Sequence, residues 1–392
     1  MATLEKVLAT CSGAFYTFDT RVLRARVDYL RSRLPDNCSL CYAVKANPFV
    51  AGEIADVADA FEICSPGEAA VCRAVGIPSE KTVISGVYKT PSFIEELIAD
   101  PGFRGILTIE SMTQYRLFKD LSEKYGRRIR VLPRLTNDSQ FGINEEEIDK
   151  IVAERERTPL VSLAGLQFFS GTQKTSVKKI AREIAALDGL LVRLKDEYGF
   201  SSERLEYGPG FPVSYFEGEE FDEEEYLREF SRIVGEMTCR TKITLELGRS
   251  IAASCGKYYT HVVDIKRNKG TDYALVDGGM HHLVYFGQSM AMKRPRVRVV
   301  GKPDAPDGVK RTVCGSLCSM NDIIVKQLPL PPIGIGDVLC FENAGAYCMT
   351  EGIALFLTRD IPAVYLIRAD GDLLPVRRPF ETVRLNTPQY DL

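Results

Sequence analysis

Cys41-Tyr42-Ala43-Val44-Lys45-Ala46-Asn47-Pro48 is the stretch whose reading decides the fold. Residues 39–44 form one short apolar run. Pro48 stops it, because the residue before a proline is pushed out of the helical region. Lys45 is therefore expected at the end of a buried strand. Burial penalises the charged ammonium and lowers its pKa. A desolvated lysine is a nucleophile, and its common use is a Schiff base with an aldehyde. The ordinary alternative is a strand-end lysine with its head in water.

Outward from this run, apolar stretches alternate with helical ones. Residues 14–18 favour a strand. Asp19-Thr20 can cap a helix in which Val22, Leu23, Val27, Leu30 and Leu34 recur near helical spacing. Candidate strands are 40–45, 61–64, 83–86, 105–110, 129–135, 163–170, 205–207 and 243–246, separated by helical patterns such as 176–197 and 223–237. Eight such βα units predict an α/β architecture, a (β/α)8 TIM-like barrel over residues 20–254. After Cys255 long helical patterns stop. Runs at 258–265, 273–276, 296–300, 323–325, 337–341 and 363–368 are separated by Gly, Pro and Asp turns. They predict an antiparallel β-barrel or sandwich domain.

Composition excludes several classes. The 392-residue chain is 45% hydrophobic and 26% charged, with a formal net charge of −3. That balance indicates neither a nucleic-acid footprint nor a membrane-surface patch. No apolar run approaches the ~20 residues that span a bilayer. Residues 1–7 carry no apolar leader core. The 11 cysteines are scattered. Cys38 and Cys41 make a C-x-x-C inside an apparent strand, and no second pair completes a zinc site. No metal is expected, and the cysteines read as reduced core residues of a cytoplasmic protein, with one exception named below.

Two turns stand where a barrel commonly binds phosphate, after strands seven and eight. Tyr207-Gly208-Pro209-Gly210-Phe211-Pro212 follows candidate strand seven, and its glycines let backbone N–H groups approach an anion. Ordinary turns use the same residues. Glu246-Leu247-Gly248-Arg249 follows candidate strand eight, and a guanidinium can fork onto a phosphate. A surface ion pair is the plain alternative.

The run 42–48 resembles the pyridoxal-phosphate lysine motif of the diaminopimelate/ornithine/arginine decarboxylase family, which has an alanine-racemase-like fold. Further motifs of that family follow in order along nearly the whole chain. The resemblance implies that Lys45 carries pyridoxal phosphate. Gly208 and Gly210 are similar to a Gly-Gly-Gly-Phe phosphate loop, with Pro209 replacing a glycine and donating no N–H. Residues 246–249 resemble Glu-Pro-Gly-Arg, with Leu247 for proline. Glu246 would keep the pyridine nitrogen protonated, and Arg249 would hold phosphate. Residues 165–173 are similar to Gly-x-x-Phe-His-x-Gly-Ser. Thr172 stands where a serine binds phosphate. Phe169 stands where a histidine stacks on the cofactor; phenylalanine can stack but not titrate. Arg134 and Glu68 also match family positions, and either could be a structural ion-pairing residue. Residues 314–322 resemble the family's cysteine loop, which reaches the partner subunit's active site; Cys318 would help protonate the carbon left by CO2. Tyr347 matches a phosphate-contacting tyrosine. The family also places its first strand with the second domain, giving a β domain of residues 1–19 plus 255–392, and implies an obligate homodimer with shared active sites.

The substrate residues depart from the family. Ser319 replaces an acidic residue that helps hold the distal end of diaminopimelate or ornithine. Tyr285 or its neighbours replace an arginine that holds a substrate carboxylate in diaminopimelate decarboxylase. His281 and His282, two of three histidines, are candidate pocket residues or a polar strand-end pair. The resemblance therefore implies a pyridoxal-phosphate-dependent α-decarboxylase of an amino acid or amino-acid conjugate. The alternative is a carrier-protein-linked aminoacyl decarboxylase. The butirosin-pathway decarboxylase, a family relative, acts on a glutamyl group carried on an acyl-carrier protein. A racemase would need Lys45 and an opposing tyrosine as two acid/bases, and the Cys318 loop argues against it. A full β domain and the Lys45/Cys318 pair argue against a non-catalytic cofactor-binding protein.

Overall fold

The computed structural model describes residues 4–288 and 290–389; the first three residues of the leader reading lie outside them. The chain forms two compact units. One holds Arg26–Pro212 and Phe221–Gly248. The other holds the described residues up to Ala25, Val213–Glu220 and the described residues from Arg249 on.

After β1 (Phe15–Asp19), the first unit carries β2 (Cys38–Ala43), β3 (Ala60–Ile63), β4 (Thr82–Ile84), β5 (Ile106–Ile109) and β6 (Ile129–Pro133). It continues with β7 (Val161–Leu163), β8 (Gly165–Phe169), β9 (Arg204–Gly208) and β10 (Lys242–Leu247). The sheet is parallel, in the order β7-β6-β5-β4-β3-β2-β10-β9-β8. β7 and β8 are two halves of the expected sixth strand. β7 pairs with β6 and β8 with β9. Arg134 then bridges to Gln167, and Leu135 N donates to Gln167 O at 2.9 Å. These links return the sheet to its start and make a barrel of eight strand positions. Gly165 permits the break. Its φ is +151°, and a Cβ there would lie 1.7 Å from Arg204 O.

Side chains alternate across each strand, so every second residue faces inward. Cys41, Ala60, Val83, Ile106, Leu132 and Ala164 pack as one apolar cluster inside the barrel. Two residues further along their strands stand Glu62, Ser85, Thr108 and Arg134, all buried. An apolar plug thus gives way to a polar layer at the C-terminal strand ends, where barrel active sites form. Helices surround the sheet. Met112–Tyr125 starts on Ser111, whose hydroxyl accepts Gln114 N, and ends on left-handed Gly126. Val177–Tyr198 and Glu223–Gly235 match the sequence patterns closely.

Among the described residues, the second unit forms a nine-stranded sheet. It adds β11 (Gly256–Asn268), β12 (Thr271–Val276), β13 (Val297–Val299), β14 (Val309–Cys314), β15 (Ile323–Leu330), β16 (Val338–Phe341), β17 (Ala363–Ile367) and β18 (Leu373–Arg377). The order is β15-β14-β12-β11-β1-β17-β18, with β16 also on β11 and β13 on β16. The sheet is mixed, not antiparallel as expected. β1 runs parallel to β17, and β12 to β14. The reason is connectivity: β1 comes from the far end of the chain and inserts between β11 and β17, so no hairpin dictates its direction. Phe15 and Tyr259 stack at 4.7 Å in its core. Sequence reading missed β14 and β18. Val309-Lys310-Arg311-Thr312 offers little apolar signal, and Leu374, Pro375 and Val376 are exposed.

Candidate active site

β2 ends at Ala43, and Val44–Ala46 make a single 3-10 turn. Tyr42 OH donates to Asn47 O at 3.0 Å, and Asn47 Oδ1 accepts Phe49 N at 3.0 Å. These bonds fix the turn on the barrel's polar end. Lys45 therefore lies one turn past the strand, with its side chain 42% exposed, which corrects the expectation of a buried strand-end lysine. Its neighbours set its chemistry. Lys45 Nζ donates to Glu62 Oε2 at 2.7 Å and lies 3.5 Å from Cys64 Sγ. Burial would raise the Glu62 carboxyl. The Lys45 charge and hydrogen bond, the Cys64 thiol and Arg134 overcome that and hold it below the usual carboxylate range. Glu68 Oε2 accepts Cys64 N at 2.6 Å and steadies the turn after β3.

Glu246, at the end of β10, is buried. Burial pushes its carboxyl well above the usual range, and Glu62 and Glu206 push the same way. Gln167 Nε2 donates to Glu246 Oε1. Among the described residues, no cation pairs with Glu246. Arg204 lies 2.5 Å from Glu206, and Lys45 is held by Glu62. Beside this set, buried Lys89 reaches Gly86 O at 2.7 Å, Thr108 Oγ1 at 3.1 Å, Gln114 Oε1 at 3.2 Å and Glu110 Oε1 at 3.9 Å. Burial pulls Lys89 down to about 8. Arg134 Nη1 meets Glu110 Oε2 at 3.0 Å. Sequence reasoning missed Glu62, Cys64, Lys89, Glu110, Gln167 and Glu206. The available signal was a lone polar residue inside an apolar strand, as in Ala60-Phe61-Glu62-Ile63 and Leu205-Glu206-Tyr207.

The two phosphate-loop candidates of the barrel lie against each other. A Cβ on Gly208 would come 2.2 Å from Phe169 Cδ2, and one on Gly210 (φ +64°) 2.2 Å from Gly171 O. Lys174 N donates to Gly210 O at 2.9 Å. Glu183 ties down the segment carrying Thr172, accepting Ser170 Oγ at 2.5 Å, Lys174 Nζ at 2.7 Å and Tyr207 OH at 2.7 Å. The structure thus brings Phe169, Thr172, Gly208 and Gly210 together at one rim of the barrel.

In the β unit, Arg249 is buried. Its Nη1 donates to Tyr215 OH at 2.8 Å, and its guanidinium lies 4.5 Å from the Tyr347 ring centre and 4.7 Å from that of Phe286. Among the described residues its Nε is buried without a partner, a donor left for an anion. Cys318 is exposed on the loop 315–322. Asp322 holds that loop to the neighbouring one, accepting Leu317 N at 2.8 Å and Met280 N at 2.7 Å. Gly279 and Gly315 must lack a Cβ, which would lie 2.6 and 2.2 Å from the Asp322 carboxylate. Ser319 Oγ accepts Asn321 N at 3.2 Å.

The histidines turn inward. His282 Nε2 donates to Asp360 O at 2.8 Å, its Nδ1 lies 3.1 Å from Tyr258 OH, and its carbonyl accepts Tyr16 OH at 2.6 Å. Both ring nitrogens are used internally, so His282 is a core residue rather than a substrate contact. His281 packs on it at 3.8 Å between ring centres. Burial holds both neutral, His281 down to about 3 and His282 to about 4. Tyr285, the other candidate, is also buried and donates to Glu342 O at 2.5 Å.

A lysine on a carboxylate at the C-terminal end of a (β/α)8 barrel, with a glycine rim and a buried uncompensated carboxylate, fits a pyridoxal-phosphate enzyme. A family model described as pyridoxal-dependent decarboxylase, pyridoxal binding domain, matches residues 20–253. The chain belongs to that family and is a pyridoxal-phosphate-dependent amino-acid decarboxylase. It is 27% identical over 390 residues to the L-glutamyl-[BtrI acyl-carrier protein] decarboxylase of Niallia circulans, covering 93% of this chain and 90% of that one. It is 24% identical over 384 residues to the 2-[(L-alanin-3-ylcarbamoyl)methyl]-2-hydroxybutanedioate decarboxylase of Staphylococcus aureus, covering 91% and 95%. In fold it is similar to diaminopimelate decarboxylase from Helicobacter pylori complexed with L-lysine, at a TM-score of 0.85, 21% identity and 97% and 98% coverage.

The raised Glu246 carboxyl has a consequence for the cofactor-free protein. A carboxyl raised on folding contributes stability that is full below its unfolded value, near 4.5, and is lost as pH rises through the folded value. Glu246→Gln removes that loss. The melting temperature of the variant apoenzyme, relative to the parent, should rise by about 2 °C or more between about pH 5 and about pH 8. A pH-independent difference would refute the burial of an uncompensated charge.

Proposed function

We propose that this enzyme removes the α-carboxylate of an amino acid whose far end is neutral or conjugated. We further propose that it works in the cytoplasm as a homodimer with shared active sites. The reading is carried by Lys45 resting on Glu62 at 2.7 Å, on the barrel's polar end, inside the lysine motif. Lys45 Nζ would be the attachment point for pyridoxal phosphate, and Glu62 holds its ammonium in place. Gly208, Gly210 and Thr172 are the proposed phosphate contacts of the barrel unit; Arg249 and Tyr347 are those of the β unit. Phe169 would lie on the ring, and Glu246 would face the ring nitrogen. When bound, the cofactor supplies an electron sink for the charge left at Cα as CO2 departs. Cys318 would be the acid that returns a proton to Cα. Borohydride reduction of the yellow holoenzyme should fix the cofactor on the peptide containing Lys45; fixation on Lys89 or another lysine would overturn the assignment.

Cys318 is exposed, as a residue serving the partner's barrel would be in one chain. The free cysteines accord with a reducing compartment. Mixing Lys45→Ala and Cys318→Ala chains under subunit exchange should restore about a quarter of parental activity. Half the dimers are then mixed, each with one intact site. No recovery would place each Cys318 in its own chain's site.

The substrate follows from missing charges. Ser319 is neutral and bonded to its own turn, and the buried histidines carry no charge. A charged distal group without a partner loses several kcal/mol on desolvation. The names of both relatives above describe conjugates: a glutamyl group on a carrier protein, and an amino acid joined through a carbamoyl group. Turnover should be weak for diaminopimelate and ornithine, and better for an amino acid with a distal amide, ester or carrier-linked thioester. A specificity constant for diaminopimelate of roughly 10⁴ M⁻¹s⁻¹ or above would sink this reading.

A further inference from the structure

Gln167 has no part in the roles above, yet it sits at the centre of the polar layer. On β8 it pairs in register with Glu206 of β9 on one side and bridges to Arg134 on the other. Its carbonyl accepts Leu135 N at 2.9 Å, so barrel closure fixes its main chain. Its residue exposure is 1%. Its amide nitrogen donates to Glu246 Oε1 on β10 and lies 3.3 Å from Ser85 Oγ, just past β4. Ser85 is anchored in turn, its N–H donating to Ile63 O at 2.7 Å. One amide therefore connects β8, β10 and the end of β4, which are not neighbours in the sheet.

Burial, Glu62 on β3 and Glu206 on β9 oppose a charge on Glu246, Lys45 favours one, and Cys41 lies opposite it on β2. The nearby cations are engaged elsewhere: Lys45 with Glu62 and Arg204 with Glu206. Among the described residues, the side-chain N–H that reaches Glu246 is that of Gln167. We propose that Gln167 is a positioning residue, whose amide fixes Glu246 Oε1 and leaves Oε2 to face the cofactor's ring nitrogen, beside whose positive charge the carboxyl ionises. This rests on the assignment of Glu246 to that nitrogen. A donor to the ionised form favours it over the protonated form. Removing the donor makes it harder for the carboxyl to ionise beside the ring nitrogen against burial, Glu62 and Glu206, and a neutral carboxyl pairs poorly with a protonated ring nitrogen.

Gln167→Leu removes the donor at similar volume, and Gln167→His restores an N–H. Cofactor affinity is read by titrating apoenzyme and following absorbance. In Gln167→Leu the dissociation constant should rise about tenfold to hundredfold, and the acid limb of the bound-cofactor spectrum should move up by about one pH unit. Gln167→His should recover most of both. In the double variant with Glu246→Gln, loss of Gln167 should add nothing further. Should Gln167→Leu fold poorly, Gln167→Met, unbranched and also without a donor, carries the same expectations. Additive losses in the double variant, or unchanged affinity and pH dependence in donor-free variants, overturn the proposal. If Glu246→Gln by itself leaves affinity unchanged, the ring-nitrogen assignment fails and takes the proposal with it. If Glu246→Gln weakens binding and Gln167→Leu does not, the positioning role alone fails.

Discussion

One end of the barrel holds Glu62, Glu110, Glu206 and Glu246 in a space closed beneath by an apolar plug. Buried carboxylates are tolerable only when paired, hydrogen-bonded or neutralised. That constraint organises the site. Glu62 is answered by Lys45, Glu110 by Arg134, and Glu206 by Arg204. Glu246 is the one left without a cation among the described residues, so the folded chain has room for a positive charge from outside. A protonated pyridine nitrogen meets that requirement, and its binding would stabilise the fold as well as prepare the chemistry.

The strain of gathering these groups falls on the backbone. The sixth strand breaks at Gly165 so that Gln167 can bridge to Arg134 while β8 still pairs with β9. Gly208 and Gly210 let two loops touch where a Cβ on either would collide. In the β unit, Asp322 and the glycines beside it do comparable work for the Cys318 loop. Candidate side chains with flexible stems are thus carried on turns with little freedom, which is how preorganisation is achieved without a rigid side chain.

The proposed substrate choice depends on what is absent. The loop bearing Cys318 and Ser319 presents a thiol and a hydroxyl, with no formal charge at Ser319. His282 is committed to Tyr258 and Asp360, and Tyr285 to Glu342. Polarity in that segment is therefore spent on holding the β unit together. A pocket without a counter-charge discriminates against charged distal groups through desolvation, before any specific contact is considered.

The sequence by itself determined the alternation of strands and helices, the barrel and the change to β structure after Cys255, and it proposed Lys45, Glu246, Arg249, Cys318 and Tyr347 as motif residues. Apolar periodicity and turn residues are local, so they are visible in one dimension. It could not show that the lysine stands one turn past its strand, because a 3-10 turn leaves little trace in hydrophobic pattern. Nor could it show that β1 joins a mixed sheet in parallel to β17, or that His282 is internal. Glu62, Gln167 and Glu206 looked like isolated polar residues within apolar strands. Only barrel closure decided that they share one layer with Glu246. A carboxylate's partner, and so its charge state, is set by residues that lie 79 positions away in the case of Gln167 and Glu246, and burial enforces that pairing.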